Sequence, residues 1–376
     1  MGIGWTPAHR ETVVGLARIG NGDMSAQSTA IVVDGPAAIR GLLFRECSAN
    51  AVARVFVSQL VRRTAAKSLD GIVVSVLFDM SASMPPQRSV VAASRAMARP
   101  SQPLPADFDP CNIVIGHLSR SFDWGPILST PDTKAAAWEM IGRAVFAALC
   151  AIVGCTAEVV TAGAVYVRDV SAALPVRSNV TYGEADLLAS TRASEFTACG
   201  HDVEIVTVDY DQVLQSLLAS TPYACTLRFK KDTINVDNLR GQYGKENRDQ
   251  LLSAAFFMLC AFKTDYSKGI CRLSGTSVTT FVAQMKRTDG VMVISENTTD
   301  DGVRHLAFHP HVIKAVTKKW DPVVYVDSFA LILWTLAYFA EYDAYRVGWG
   351  GPPAVILKDG WNVDPSIMFA SDIFSR

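Results

Sequence analysis

Short apolar runs rich in β-branched residues recur along this chain, and an acidic residue follows closely after several of them. Three such runs, at Thr29–Val33, Gly71–Phe78 and 203–208, have the length and composition of buried parallel strands. Apolar residues at helical spacing predict a helix from about Asn50 to Ala66, between the first two runs. The first part of the chain is therefore predicted to be a βαβ unit with a right-handed crossover.

The later patterns extend this alternation. They predict a helix after Asp34 through about Phe44, helices at Thr133–Val153, Gly183–Thr197, Asn247–Phe262 and 327–342, and strands at Glu158–Val160, Ala164–Val167 and Gly290–Ser295. Residues 100–132 are rich in Pro, Ser and Asp, which predicts a loop or mobile insertion. The predicted fold class is α/β, with a mostly parallel central sheet flanked by helices in residues 1–285. A C-terminal region, residues 286–376, is expected to pack on that domain.

Seven acidic residues are candidates for a functional site, and most of them stand at or just beyond predicted strand ends or helix starts. They are Asp34, Asp79, Glu184, Asp186, Asp209, Asp211 and Asp265. Open α/β sheets bind their ligands beyond the carboxyl ends of the strands, so these carboxylates are expected to gather at one edge. The competing interpretation is that some are helix caps or solvated loop acids, and Asp34 and Glu184 stand where caps often stand.

The spacing of these acids suggests metal chemistry. Two pairs, 184/186 and 209/211, are separated by one residue, so both members of a pair can face one site. Hard oxygen ligands suit Mg²⁺, and neighbouring carboxylates without a cation would raise one another's pKa. Two ions about 4 Å apart can hold the attacking and leaving oxygens of a phosphodiester, so metal-assisted hydrolysis is the expected reaction.

Composition and charge limit the kind of protein in which this chemistry is expected. With 376 residues, of which 49% are hydrophobic and 19% charged, the chain is expected to form a compact globular protein. The net charge of -1 means that any contact with nucleic acid must come from a local basic patch. No secretory signal or membrane-spanning run is apparent, which predicts an intracellular protein, nuclear or cytoplasmic, in a cell or a virus-infected cell.

Sulfur and imidazole ligands offer little alternative to the carboxylates. The eight cysteines form no Cys-x-x-Cys pair, which favours buried free thiols over zinc ligands. His305, His309 and His311 lie close together, and either a metal site or a surface loop around Pro310 explains them.

Five short segments contain the seven acids in a fixed order: Val32–Pro36, Leu77–Arg88, Tyr182–Asp186, Thr207–Asp211 and Phe257–Tyr266. In this order they resemble the motifs of the structure-specific 5′ nuclease superfamily, which has a PIN-like fold and includes flap endonucleases and 5′→3′ exoribonucleases. The resemblance covers about three quarters of the chain. It implies that the seven acids bind two divalent ions, Mg²⁺ or Mn²⁺, and that the partner is DNA or RNA with a 5′ end.

The resemblance also implies residues that contact phosphate. A basic arch is expected over residues 88–132, where Arg88, Arg95 and Arg99 are spaced to share one helical face. A solvated basic face explains the same spacing. The start of the chain, Met1-Gly2-Ile3, is typical of the flap-endonuclease branch, so Gly2 joins the predicted phosphate contacts.

The chain departs from the family pattern at several places. Asp186 replaces the usual second Glu, Met80 the usual Gly, and Lys263 another Gly.

Two other function classes stay open: a catalytically silent relative that binds nucleic acid or protein, and an unrelated α/β phosphatase or nucleotide-binding enzyme. A nucleotide-binding enzyme is expected to carry a Gly-x-x-x-x-Gly-Lys-Ser/Thr loop or a Gly-x-Gly-x-x-Gly turn after a strand. Neither motif follows a predicted strand in this sequence.

Overall fold

The computed structural model describes the greater part of the predicted α/β region and a smaller part of the C-terminal region. The described residues are 29–43, 48–63, 69–79, 128, 131–170, 172–177, 184–209, 211–219, 223–229, 233–242, 248–261, 294–298, 300, 302, 304–308, 332–340, 344–347 and 354–357.

The described residues form eleven strands and eight helices. The strands are β1 (Ala30–Asp34), β2 (Val73–Leu77), β3 (Thr156–Val160), β4 (Val165–Arg168), β5 (Val203–Val206), β6 (Cys225–Arg228), β7 (Thr233–Asn235), β8 (Ile294–Thr298), β9 (Arg304–Phe308), β10 (Ala344–Val347) and β11 (Ala354–Leu357). The helices are α1 (Gly35–Arg40), α2 (Ala49–Arg63), α3 (Pro131–Cys150), α4 (Ala185–Ala198), α5 (Asp211–Leu218), α6 (Val236–Gln242), α7 (Arg248–Ala261) and α8 (332–339).

Seven strands form the central sheet in the order β4-β3-β2-β1-β5-β6-β7. The five inner strands are parallel, and antiparallel β4 and β7 close the two edges. The chain runs from β1 through β2 to β3 on one side of β1, and β5 and β6 lie on the other side. The predicted α/β class with a mostly parallel sheet is confirmed, and the strand order changes direction between β1 and β5.

Helices cover both faces of this sheet because successive strand residues point to opposite sides. Ile31 and Val33 of β1 belong to one buried cluster, together with Phe56 of α2 and Trp138 of α3. Alternate residues of β1, such as Val32, belong to a second cluster formed with α4, α5, α7 and α8. The strands are therefore buried on both faces, which explains their continuous apolar composition.

A smaller sheet follows in the C-terminal region, with the order β11-β10-β9-β8. Its strand β8 contacts α7, where the amide of Ile294 donates to Ser253 Oγ at 3.2 Å. The aromatic segment 332–340 is buried in the second core cluster, as expected of an ordinary core helix. The proposed boundary at residue 285 lies outside the described residues and stays a prediction.

Most predicted elements are present, with shifted ends. The helix predicted to run through Phe44 ends at Arg40, and the strand predicted over 203–208 ends at Val206. Pairing of β5 with β6 stops at Val206, and Val208 beyond it is 44% exposed. The predictions omitted α5, α6, β6, β7 and β9 to β11.

Among the described cysteines, Cys155 and Cys225 are buried free thiols as predicted, whereas Cys199 is free but exposed. No helix in the described part of the chain is long and apolar enough to cross a membrane.

Candidate active site

Asp34 lies at the point where the strand order of the sheet changes direction. It is the last residue of β1 and the N-cap of α1, where its Oδ1 accepts a hydrogen bond from the Ala37 amide at 3.2 Å. Its Oδ2 accepts from Thr207 Oγ1 at 3.2 Å, and Thr207 directly follows β5. Sites in open α/β sheets form at such a switch point.

The carboxyl group of Asp34 is strongly affected by its surroundings. It is only 4% exposed. Burial, followed by the nearby negative charges of Asp186 and Asp79, raises the pKa of Asp34 well above its ordinary value, with a smaller contribution from Asp209. The Ala37 amide opposes this effect by stabilising the charged form. Four of the predicted site acids are therefore close enough to interact at this edge of the sheet.

The raised pKa of Asp34 predicts an unusual dependence of stability on pH. A carboxyl group whose pKa is higher in the folded state stabilises folding below its ordinary pKa, and this contribution is lost as the pH rises. Asp34→Asn keeps a capping side chain without the charge. In EDTA, the variant should match wild type near pH 4 and be more stable near pH 7, as measured by urea unfolding. A variant less stable than wild type at both pH values would contradict this expectation.

Asp79 lies two residues beyond the end of β2, the strand beside β1. Its Oδ2 accepts from Lys134 Nζ in the first turn of α3, and its Oδ1 accepts from the Ala185 amide at 3.3 Å. The Asp79 side chain is 10% exposed and that of Lys134 is 22% exposed. The carboxylate thus links the end of β2 to the starts of α3 and α4.

Close packing holds the ends of β1 and β2 together. A Cβ atom placed on Gly35 would lie 2.8 Å from the Leu77 carbonyl oxygen and 3.0 Å from the Phe78 ring. The backbone after Asp34 therefore approaches the end of β2 more closely than a side chain would allow. The absence of a Cβ at position 35 permits Asp34 and Asp79 to lie near each other.

Glu184 and Asp186 enter the site from the start of α4. Glu184 is the N-cap residue, is 1% exposed, and makes no capping hydrogen bond with its side chain. The Asp186 side chain accepts from its neighbour Leu187 N at 2.9 Å and from Gln215 Nε2 at 2.6 Å. Gln215 belongs to α5 and is fully buried. The prediction that Glu184 stands at a helix-cap position is confirmed, because it is the N-cap residue of α4. Its side chain does not make the capping hydrogen bond.

Asp209 lies between β5 and α5, and Asp211 is the first residue of α5. The Asp209 amide donates to Thr207 Oγ1 at 3.1 Å, and Asp209 Oδ1 accepts from the Asp211 amide at 3.1 Å. Asp209 is partly exposed, whereas Asp211 is 4% exposed. Thr207 therefore connects Asp34 to the segment between β5 and α5, since its hydroxyl bonds to both.

Six of the seven predicted acids lie within the described part of the chain, all at strand ends or helix starts on the carboxyl side of the parallel strands. Among the residues that the structure describes, no three Asp, Glu, His or Cys side chains are grouped as ligands of one metal ion. The carboxylates of Asp34, Asp79, Asp186 and Asp209 accept hydrogen bonds from protein donors. The other predicted site residues lie outside the described residues: Asp265, Arg88, Arg95, Arg99 and Gly2.

Three residues of the site were not predicted from the sequence: Lys134, Thr207 and Gln215. Lys134 carried a usable signal, because a basic residue in the first turn of a helix opposes the helix dipole. Gln215 follows Asp211 by four residues and so shares its helical face. Thr207 carried no signal of its own, because its role depends on β5 lying beside β1.

Comparisons with known proteins identify no matching family model and no matching curated relative. In overall fold the chain is similar to a solved structure of the bacteriophage T5 flap endonuclease in a pseudo-enzyme–product complex with DNA and metal ions. The identity is 9%, the TM-score is 0.39, and the alignment covers 83% of this chain and 88% of that chain.

Two further T5 structures are similar to this chain. One is a mutant of the T5 5′-exonuclease, with 10% identity, a TM-score of 0.35, and coverage of 84% of this chain and 88% of that one. The other is a T5 protein co-crystallised with metal ions, with 11% identity, a TM-score of 0.31, and coverage of 83% and 97%. At these identities and TM-scores, the likeness assigns no activity, substrate or cofactor to this chain.

Proposed function

We propose that this chain is a divalent-metal-dependent 5′ nuclease that hydrolyses phosphodiester bonds of DNA or RNA. The observation that carries the proposal is the burial of Asp34 at the switch point of the sheet, within the electrostatic influence of Asp79, Asp186 and Asp209. Buried like charges of this kind are costly unless a cation or a proton neutralises them. A site with such perturbed groups is a candidate for chemistry rather than for stability.

The donor chemistry fits Mg²⁺ or Mn²⁺. The six described acids, Asp34, Asp79, Glu184, Asp186, Asp209 and Asp211, offer hard oxygen ligands, which these ions prefer to sulfur or nitrogen. Asp265 is proposed as a seventh ligand. When bound, two such ions would supply Lewis-acid activation of the phosphate and a more acidic attacking water.

The residues of this chain have separable roles in that proposal. Asp34 and Asp79 would hold cations at the ends of β1 and β2, and Glu184 and Asp186 would approach from the start of α4. Thr207 orients Asp34 and the backbone of Asp209. Arg88, Arg95, Arg99 and Gly2 are proposed to contact the phosphates of a strand with a 5′ end.

A second candidate function is a nuclease-like binding module without catalysis. Two observations favour it: no group of three metal-binding side chains is assembled within the described ranges, and Lys134 already neutralises Asp79. In this case the ammonium group would take the place of the metal permanently. The intact set of acids favours the nuclease, since a silent module has no need of them.

A cleavage assay distinguishes the two functions. Purified full-length protein is incubated with matched 5′-phosphorylated single-stranded, 5′-flap and duplex substrates, in both DNA and RNA, and the products are sized. A nuclease is expected to cleave at least one substrate in Mg²⁺ or Mn²⁺ and none in excess EDTA. Cleavage that persists fully in EDTA would exclude the metal mechanism. Binding without cleavage in either metal would support the silent module.

A further inference from the structure

The Lys134–Asp79 ion pair places a positive charge where the proposed function requires a metal ion. We propose that Lys134 is a substrate-binding residue of this site. Its ammonium group neutralises Asp79 while no metal is bound, and it contacts a phosphate of the nucleic acid once metal has replaced it at the carboxylate. This proposal rests on the metal-dependent nuclease function.

The position of Lys134 suits such an exchange. Its side chain is 22% exposed, compared with 10% for Asp79, and Asp34 behind them is 4% exposed. The Lys134 side chain is therefore more exposed than that of Asp79, as a contact with an approaching nucleic acid strand would require. Lys134 also lies at the start of α3, directly after the segment in which the basic arch was predicted.

The partners of Asp79 differ in their freedom to move. Its Oδ1 accepts from the Ala185 amide, which is fixed in the backbone at the first residue of α4. Its Oδ2 accepts from Lys134, whose ammonium group sits at the end of a flexible four-carbon stem. The Lys134 ammonium group would be displaced from Asp79 Oδ2 by the positive charge of a metal ion bound there. Lysine is therefore the partner that can withdraw without disturbing a helix.

A released Lys134 would remain near the reacting phosphate. A phosphate bound together with a metal ion at Asp79 would lie beside that carboxylate. The Lys134 ammonium group contacts the same carboxylate, so such a phosphate would be within its reach. A lysine ammonium is a common point-charge ligand of phosphate.

Other described cations have different partners. Arg143, Arg192 and Arg228 pair with glutamates outside the site. Arg143 lies on the same helix as Lys134, nine residues later (143 − 134), and its side chain is 58% exposed. It therefore serves as a matched control: Arg143→Gln removes one positive charge from α3 without touching a site carboxylate.

Two binding measurements on the full-length protein test the proposal. Calorimetric titration with Mn²⁺, without nucleic acid, is expected to show tighter binding by Lys134→Gln than by wild type, by about threefold to tenfold. Binding of a 5′-phosphorylated oligonucleotide, with Ca²⁺ in place of Mg²⁺ to limit cleavage, should weaken by a similar factor. The slope of binding against salt concentration should also fall by about one charge.

The two proposals fail in different ways. Lys134→Arg keeps the charge and should stay close to wild type in both titrations, as should Arg143→Gln. If wild type binds Mn²⁺ but Lys134→Gln binds it no more tightly, or binds the oligonucleotide equally well, the role of Lys134 is wrong and the nuclease proposal stands. If neither wild type nor Lys134→Gln binds Mn²⁺, the metal-dependent function is wrong, and the role of Lys134 with it.

Discussion

Replacing Asp209 with asparagine is expected to lower metal-dependent cleavage by on the order of 10³-fold, which corresponds to about 4 kcal/mol of transition-state stabilisation. The asparagine side chain keeps an oxygen that can accept from the Asp211 amide, as Asp209 Oδ1 does at 3.1 Å. The connection between β5 and α5 should therefore persist while the negative charge is lost. The measurement is the single-turnover rate in Mg²⁺, together with the affinity for Mn²⁺.

The same strand provides a matched control. Asp202 immediately precedes β5, at the opposite end from Asp209, and is exposed. Asp202→Asn makes the same chemical change away from the proposed site and should leave the rate within about twofold of wild type, as surface substitutions usually do. Equal rates for the two variants would show that Asp209 has no part in metal-dependent catalysis.

The positions of the main acids could be predicted because they depend on local sequence. A β-branched run followed by an acid places that acid at a strand end, and parallel strands bring their carboxyl ends to one edge. This reasoning located Asp34, Asp79 and Asp209 without knowledge of the strand order. The hydrogen bond from Thr207 to Asp34 could not be predicted, because it requires β5 to pair with β1 across 173 residues of sequence.

The helix α5 was not predicted because half of its residues are polar, although the whole helix is buried. All eight residues of α5 are buried, including Gln212, Gln215 and Ser216. Polar residues in a short segment normally indicate a surface turn, and burial is tolerated here partly because Gln212 bonds to Ser190 and Gln215 to Asp186. These partners lie on another helix, so no local pattern reveals them. The short strands β6 and β7 likewise depend on pairing with distant segments.

A buried ion pair joins α4 to the central sheet. Arg192 of α4 donates to Glu158 of β3 through Nε at 2.9 Å and Nη2 at 3.2 Å, and both side chains are at most 3% exposed. Ser75 of β2 donates to the same carboxylate at 2.6 Å, and Arg177 Nε lies 4.0 Å from it. The Arg192 guanidinium also lies 4.6 Å from the centroid of the Phe196 ring. This network fixes the helix that begins with Glu184 and Asp186 against the sheet.

Arg192→Ala should lower the free energy of unfolding by about 3–5 kcal/mol, because Glu158 would remain buried with most of its charge uncompensated. Urea unfolding measures this loss. Arg143→Ala, which breaks an exposed pair with Glu139, should lower the free energy of unfolding far less, because solvent screens exposed ion pairs. Replacing both Arg192 and Glu158 with methionine should recover much of the stability, since no buried charge is left behind. If the double variant is as unstable as Arg192→Ala, lost packing and backbone contacts such as the bond to the Pro175 carbonyl account for the effect rather than the charge.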